Sequence, residues 1–149
     1  MTRKEKALEL FSGEFNCAQS VIGAYNDLLT HKYDTLVEMA VGFGGGMGRL
    51  QLTCGAITGA FMVLNSLFDH KKTESKEQLN FLMQEFAGLF RNKFGEMNCR
   101  NLIQHDLKTE EGRKKARDNN VFETKCAQYI SYAIDLIEDI LRRYQMNLK

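Results

Sequence analysis

The stretch Phe122-Glu-Thr-Lys-Cys-Ala-Gln-Tyr-Ile-Ser-Tyr-Ala-Ile-Asp-Leu-Ile-Glu-Asp-Ile-Leu-Arg-Arg-Tyr144 decides the fold class. Phe122, Cys126, Tyr129, Ile130, Ala133, Ile137, Ile140, Leu141 and Tyr144 recur at spacings of three and four, with Lys125, Gln128, Asp135, Glu138, Asp139 and Arg142 between them. That is the period of a helix with one apolar and one solvated face. Working back along the chain, Leu79, Leu82, Met83, Phe86, Phe90 and Phe94 form a second such stripe. Ser75-Lys-Glu-Gln78 ahead of it has the form of a capping box, and Thr35-Leu-Val-Glu38 is read as opening a shorter helix in the same way. That helix must stop at Gly42-Phe-Gly-Gly-Gly-Met-Gly48, because five glycines in seven residues lose too much backbone entropy to stay helical. From Thr53 to Phe68 the chain is apolar on nearly all sides, as expected of a helix surrounded by others. With no proline and no strand-like alternation, the expectation is an all-α helical bundle, a single domain over residues 1–149, with a central apolar helix preceded by a glycine-rich loop.

Bulk composition narrows the function. Twenty basic against nineteen acidic residues give a formal charge of +1, so no global field gathers nucleic acid or an anionic membrane surface. The apolar run Ala56 to Phe68 is shorter than the roughly 20 residues that cross a bilayer. The first ten residues lack the apolar run of a secretory signal, and a cytoplasmic location is expected. Residues 104–120, with Glu110, Glu111, Arg113, Lys114, Lys115 and Arg117, read as a solvated surface excursion with no function assigned to it.

Four cysteines remain to be explained. In a reducing compartment they point to metal binding or thiol chemistry rather than structural disulfides, although buried free cysteines also serve simply as core filling. Cys17 follows Asn16, Cys54 follows Thr53 and Cys99 follows Asn98, so three of them come directly after a helix-capping residue type. In a first helical turn, unpaired amides and the helix dipole lower a thiol's pKa, and Arg49 and Arg100 add to that expectation. Cys17 is in register with Val21 and Leu28, Cys54 with Ile57 and Phe61, Cys99 with Leu102 and Ile103, and Cys126 lies on the C-terminal apolar stripe. All four are therefore expected to face one interior. Their separations of 37, 45 and 27 residues contain no Cys-x-x-Cys pair, which sets aside zinc ribbons, thioredoxin-like motifs and covalent haem attachment. What remains is a site assembled from distant helices, holding an iron–sulfur cluster or other thiolate-bound metal, or cycling thiols and disulfides.

Cys54-Gly-Ala-Ile-Thr-Gly59, preceded by Phe43-Gly-Gly-Gly-Met-Gly-Arg49, with Asn16-Cys17-Ala-Gln-Ser20 upstream and Cys99 and Cys126 downstream, resembles the family of C_GCAxxG_C_C proteins over nearly the whole chain. The family's name expresses an expectation of redox activity drawn from its cysteines. The resemblance implies Cys17, Cys54, Cys99 and Cys126 as site residues. It also implies a setting near transporters, since the family's genes often lie beside transporter genes.

Further readings follow from the residues. Gly55 and Gly59, four apart, clear one helix face for a close-packed backbone or a cofactor, and Gly44, Gly45, Gly46 and Gly48 are candidates to present amides to an anion, a thiolate or a cluster. No dinucleotide or P-loop pattern runs through the loop. Cys54 is expected to be the most reactive thiol. His31, His70 and His105 read as solvated histidines near helix ends, with His105-Asp106 the pair that could orient a base near Cys99. The reading that competes with a redox protein is a non-enzymatic binding or adaptor domain with structural zinc or inert cysteines. Under either, a redox partner, a transporter-associated protein and a second copy of the chain stay open as partners.

Overall fold

The computed structural model describes residues 1–68 and 71–144. Among them are eight α-helices and no strand: α1 (Arg3–Ser12), α2 (Cys17–Gly23), α3 (Tyr33–Met39), α4 (Gly55–Leu67), α5 (Thr73–Phe94), α6 (Cys99–Ile103), α7 (Glu110–Asp118) and α8 (Ala127–Arg143). A 3-10 turn (Val41–Phe43) follows α3, and a π-helical turn (Phe122–Cys126) leads into α8. The all-α expectation holds. No helix among the described residues is long and apolar enough to cross a membrane.

The apolar run does form the centre. In α4, Gly55, Ala56, Ile57, Gly59, Ala60, Val63 and Leu64 are all buried, with α2 on one side and α8 on another. Gly59 explains how closely α2 approaches. A Cβ at that position would stand 2.6 Å from the carbonyl oxygen of Ala18, so the two backbones pack with no side chain between them. Behind α4, the predicted α5 and C-terminal stripes meet through aromatic rings: Phe94 packs edge-on against Tyr129 at 4.8 Å and against Tyr132 at 5.5 Å. Tyr25 donates to Glu138 at 2.8 Å while Arg3 pairs with Asp27 and Glu138, tying α1 and the turns that follow α2 to α8.

Several boundaries differ from the expectation. α3 starts at Tyr33 behind Lys32, and α5 at Thr73 behind Lys72, so Thr35 and Ser75 lie inside their helices and cap nothing. Asp34 and Glu74 place acidic charge in the first turn of each, which favours the earlier start. The capping boxes that do form are Thr2 with Glu5 on α1 and Asn16 with Gln19 on α2. α2 ends at Gly23, and Leu28, expected on the inward stripe with Cys17, is 45% exposed in the turns that follow.

Candidate functional site

Each cysteine is delivered by a different local device. Cys17 opens α2 directly behind the Asn16 cap, where Asn16 accepts from the Gln19 amide at 2.9 Å and Gln19 accepts from the Asn16 amide at 3.1 Å. The same Asn16 side chain donates to the carbonyls of Ala40 and Val41, fixing the 3-10 turn and the glycine loop beside Cys17. Cys54 is itself the N-cap of α4 rather than the residue after the cap. Thr53 is drawn into an isolated bridge with Asn98, and the amides of Cys54 and Cys99 donate to the carbonyls of Met97 and Leu52. That crossing brings Cys99, first residue of α6, alongside Cys54. Cys126 closes the π-helical turn, whose extra residue lets both Val121 and Cys126 face inward although they are five apart.

The four thiols share one cavity of about 610 Å³, also lined by Tyr129, by Gly44, Gly45, Gly46, Gly48 and Gly55, and by Arg49, Arg113 and Arg117. Gly59 is not among the lining residues; its open face is filled by the Ala18 backbone. All four cysteines are free. Cys54, Cys99 and Cys126 are buried, and Cys17 alone keeps part of its surface open. Cys126 is the thiol that acts most strongly on Cys17 across this cavity.

The glycine loop is an unusual piece of backbone. Gly45, Gly46, Met47, Gly48 and Arg49 are left-handed in succession, with φ between +59° and +68°, and Gln51 follows at +59°. Residues other than glycine spend about 1–2 kcal/mol each in that region, so Met47, Arg49 and Gln51 hold strain next to the cavity. The loop is held by its own bonds, including Gly48 to Gly42 at 2.6 Å and Leu52 to Gly46 at 2.9 Å. The amides from Met47 to Leu52 are thus used internally, and that part of the loop does not present them to a ligand.

Electrostatically, the thiols do not show the lowered pKa expected of helix N-termini. The neighbouring Cys126 thiol, and then burial, push Cys17 well up. Burial, followed by the proximity of Cys17, pushes Cys54 up against the opposing pull of the Ala56 and Ile57 amides. Cys99 is pushed up to about 11, mainly by burial. Here desolvation outweighs the helix termini, because the thiols face an apolar interior and one another. The expectation that Cys54 is the most reactive thiol loses its electrostatic basis.

Sequence reasoning missed four residues. Gln51 is buried, donates to the His105 carbonyl at 2.7 Å, accepts from the Leu107 amide at 2.9 Å, and points the same nitrogen at the Cys99 sulfur 3.9 Å away. A lone glutamine between Leu50 and Leu52 carries no pattern that marks this role. Tyr129, visible only as part of a stripe, donates its hydroxyl to the Leu102 carbonyl at 2.8 Å, and burial together with Cys126, Cys54 and Cys99 pushes it up to about 12. Arg113 and Arg117, placed in the solvated excursion, line the cavity. His105 does not serve Cys99: its two ring nitrogens meet the Ile103 carbonyl at 2.7 Å and the Asn119 amide at 3.0 Å. His31 is exposed, and His70 lies outside the described residues.

Four cysteine thiolates are the ligand set of common iron–sulfur clusters, and four thiols around one cavity match that donor chemistry. Among the described residues no three His, Cys, Asp or Glu side chains are gathered tightly enough to hold a single metal ion. An all-helical fold that brings four free thiols from four elements to one cavity defines a cysteine-centred helical protein. Residues 15–140 match the family described as "Putative redox-active protein (C_GCAxxG_C_C)", and the chain belongs to that family. No curated protein and no solved structure matches it.

Proposed function

We propose that this is a thiol redox protein in which Cys17 and Cys126 form a dithiol–disulfide couple. The observation that carries the reading is that these two thiols line one cavity as neighbours, Cys17 keeping part of its surface open. The electron acceptor is a disulfide. Cys17 loses its proton, and its sulfur attacks one sulfur of the substrate disulfide; the S–S bond breaks, and the leaving sulfur departs as a thiol after taking up a proton. The Cys126 sulfur then attacks Cys17 in the mixed disulfide and releases the second thiol. Two protein thiols and one disulfide become one protein disulfide and two thiols, with two electrons passed. Cys54 and Cys99 line the same space as a flanking pair. Free thiols of this kind suit a reducing compartment, and we place the protein in the cytoplasm on that ground.

A second reading is favoured by a different observation. The thiols of Cys17, Cys54 and Cys99 are all held protonated, and each is disfavoured in ionised form by a neighbouring thiol, so the set would ionise together only around a cation. A polynuclear iron–sulfur centre held by Cys17, Cys54, Cys99 and Cys126 meets that condition and would supply one-electron transfer. The distinguishing experiment takes the visible spectrum of protein purified without oxygen, and maps disulfides by mass spectrometry after mild oxidation. A featureless spectrum with a Cys17–Cys126 bridge, absent in Cys126→Ser, is the expected outcome. Bands that bleach on reduction and vanish in each single Cys→Ser variant would overturn it in favour of the cluster.

A further inference from the structure

Resting on the reading of this cavity as a disulfide-reducing site, we propose that its substrate is a small anionic disulfide, with carboxylates held by Arg49, Arg113 and Arg117. The arginines divide by their surroundings, with Arg91 standing apart from the cavity, its guanidinium meeting the Met97 sulfur at 3.1 Å. Arg3, Arg100, Arg142 and Arg143 are ion-paired with carboxylates. Arg49, Arg113 and Arg117 have no ion pair among the described residues, and all three line the thiol cavity. Among the described residues, no aspartate or glutamate lines it with them.

Three unpaired guanidiniums around one opening repel each other, so the arrangement leaves positive charge unanswered unless an anion is bound. Arg113 is half-buried and fixed in direction: its Nη1 donates to the Leu107 carbonyl at 2.8 Å, leaving its other donors for a ligand. Arg49 and Arg117 are exposed. Arg49 sits in the left-handed run of the glycine loop, a backbone conformation maintained against its own preference at the edge of the cavity. The guanidinium fork matches a carboxylate with two parallel hydrogen bonds. Apart from the thiols, the arginines, Asn16 and Tyr129, the side chains lining the cavity are apolar, among them Phe11, Leu102, Ile103, Leu107 and Phe122. This division suits a ligand with charged ends and an uncharged sulfur-bearing middle. The cavity volume of about 610 Å³ admits a small molecule rather than a folded partner.

The chemical step is the exchange already described: the bound disulfide accepts two electrons from Cys17 and Cys126 and leaves as two anionic thiols, with both protein protons accounted for on the products. Mutual repulsion of the products beside one another then favours release.

The test compares two linear disulfides of similar length and opposite charge, dithiodipropionate and cystamine, as oxidants of the fully reduced protein. Each rate is normalised to that of a free small dithiol, which removes their intrinsic difference in reactivity. The expected result is a normalised preference for dithiodipropionate of about tenfold or more at low salt, falling as salt is raised. Arg117→Gln alone should reduce that preference, and the triple variant Arg49→Gln, Arg113→Gln, Arg117→Gln should abolish it, with circular dichroism confirming the fold. Arg91→Gln, outside the cavity, should keep the preference. Equal normalised rates for the two disulfides, or a preference surviving in the folded triple variant, would overturn the proposal. Calorimetry with suberate, the hydrocarbon dicarboxylate of matching length, separates the two claims. Suberate binding that disappears in the triple variant while neither disulfide reacts supports the anion site and defeats the exchange reading. Disulfide reduction without charge preference or suberate binding does the reverse.

Discussion

Gly46 and Gly48 lie two residues apart in one left-handed run, but their surroundings differ. At Gly48, with φ of +60°, an added Cβ meets nothing within 4 Å. At Gly46, with φ of +66°, it would stand 2.7 Å from both the Cys99 Cβ and the Gln51 Cα. Gly48→Ala therefore carries only the conformational penalty, about 1–2 kcal/mol. Gly46→Ala adds a clash with backbone and a short side chain, neither able to swing away, for a total of about 3 kcal/mol or more. Urea denaturation of the two variants checks the order, and equal losses would mean that the loop is not pressed against Cys99. The comparison also reports on the site, since the displaced neighbours in Gly46→Ala are Cys99 and the glutamine that points at its sulfur.

At the scale of the helices, α5 offers the opposite case. Gly88 is exposed in its interior, and a Cβ there meets nothing within 4 Å. Gly88→Ala should stabilise the protein by about 0.5–1 kcal/mol through helix propensity alone, read as a higher melting temperature; a loss would show that this face is covered by something in solution. Periodicity made α4, α5 and α8 legible, because an apolar stripe records burial directly, as at Ile57, Phe86 and Ile137. It did not fix helix starts, since Thr35 and Ser75 have capping chemistry but lie where the chain is already helical. The convergence of the cysteines was legible for the same reason as the core: Cys54, Cys99 and Cys126 sit on inward stripes. Their electrostatic state was not legible. A capping residue before a cysteine reveals the helix terminus but not the apolar wall opposite, and at Cys54 burial outweighs the pull of two amides. Arg113 and Arg117 were hidden by the sequence around them, because α7 is polar on nearly every side and buries only Ala116. Which charged residues of such a helix turn toward a cavity depends on how Leu107 and Gln51 anchor the segment before it.

Across the whole molecule, the raised thiols become a statement about stability and pH. A thiol whose pKa is higher in the folded than in the unfolded state favours folding while both are protonated, and that contribution is lost as pH rises through the interval between the two values. For Cys99 the interval runs from the ordinary value of 9.0 to about 11, and Cys17 and Cys54 shift in the same direction. Within the interval each such thiol contributes a slope of about 1.4 kcal/mol per pH unit, because the unfolded chain loses a proton that the folded one keeps. The fully reduced protein should therefore have a melting temperature that is level up to about pH 8 and falls steeply from pH 9 to 11. Tyr129, raised from 10.0 to about 12, adds a slope of the same sign above pH 10, so the assignment rests on a difference between proteins. Cys54→Ser removes one raised thiol and puts a good capping residue at the head of α4, so the variant should remain folded. Its melting temperature should fall less steeply with alkali than that of the parent. Parallel curves would mean that Cys54 ionises as freely in the folded protein as in the unfolded chain, and the picture of Cys17, Cys54 and Cys99 held neutral by burial and by neighbouring thiols would have to be abandoned. A shallower curve would show that the fold stores free energy against ionisation of its thiols. Oxidation to a disulfide and binding of a cation both remove those ionisable protons, and either would flatten the alkaline limb of the parent protein.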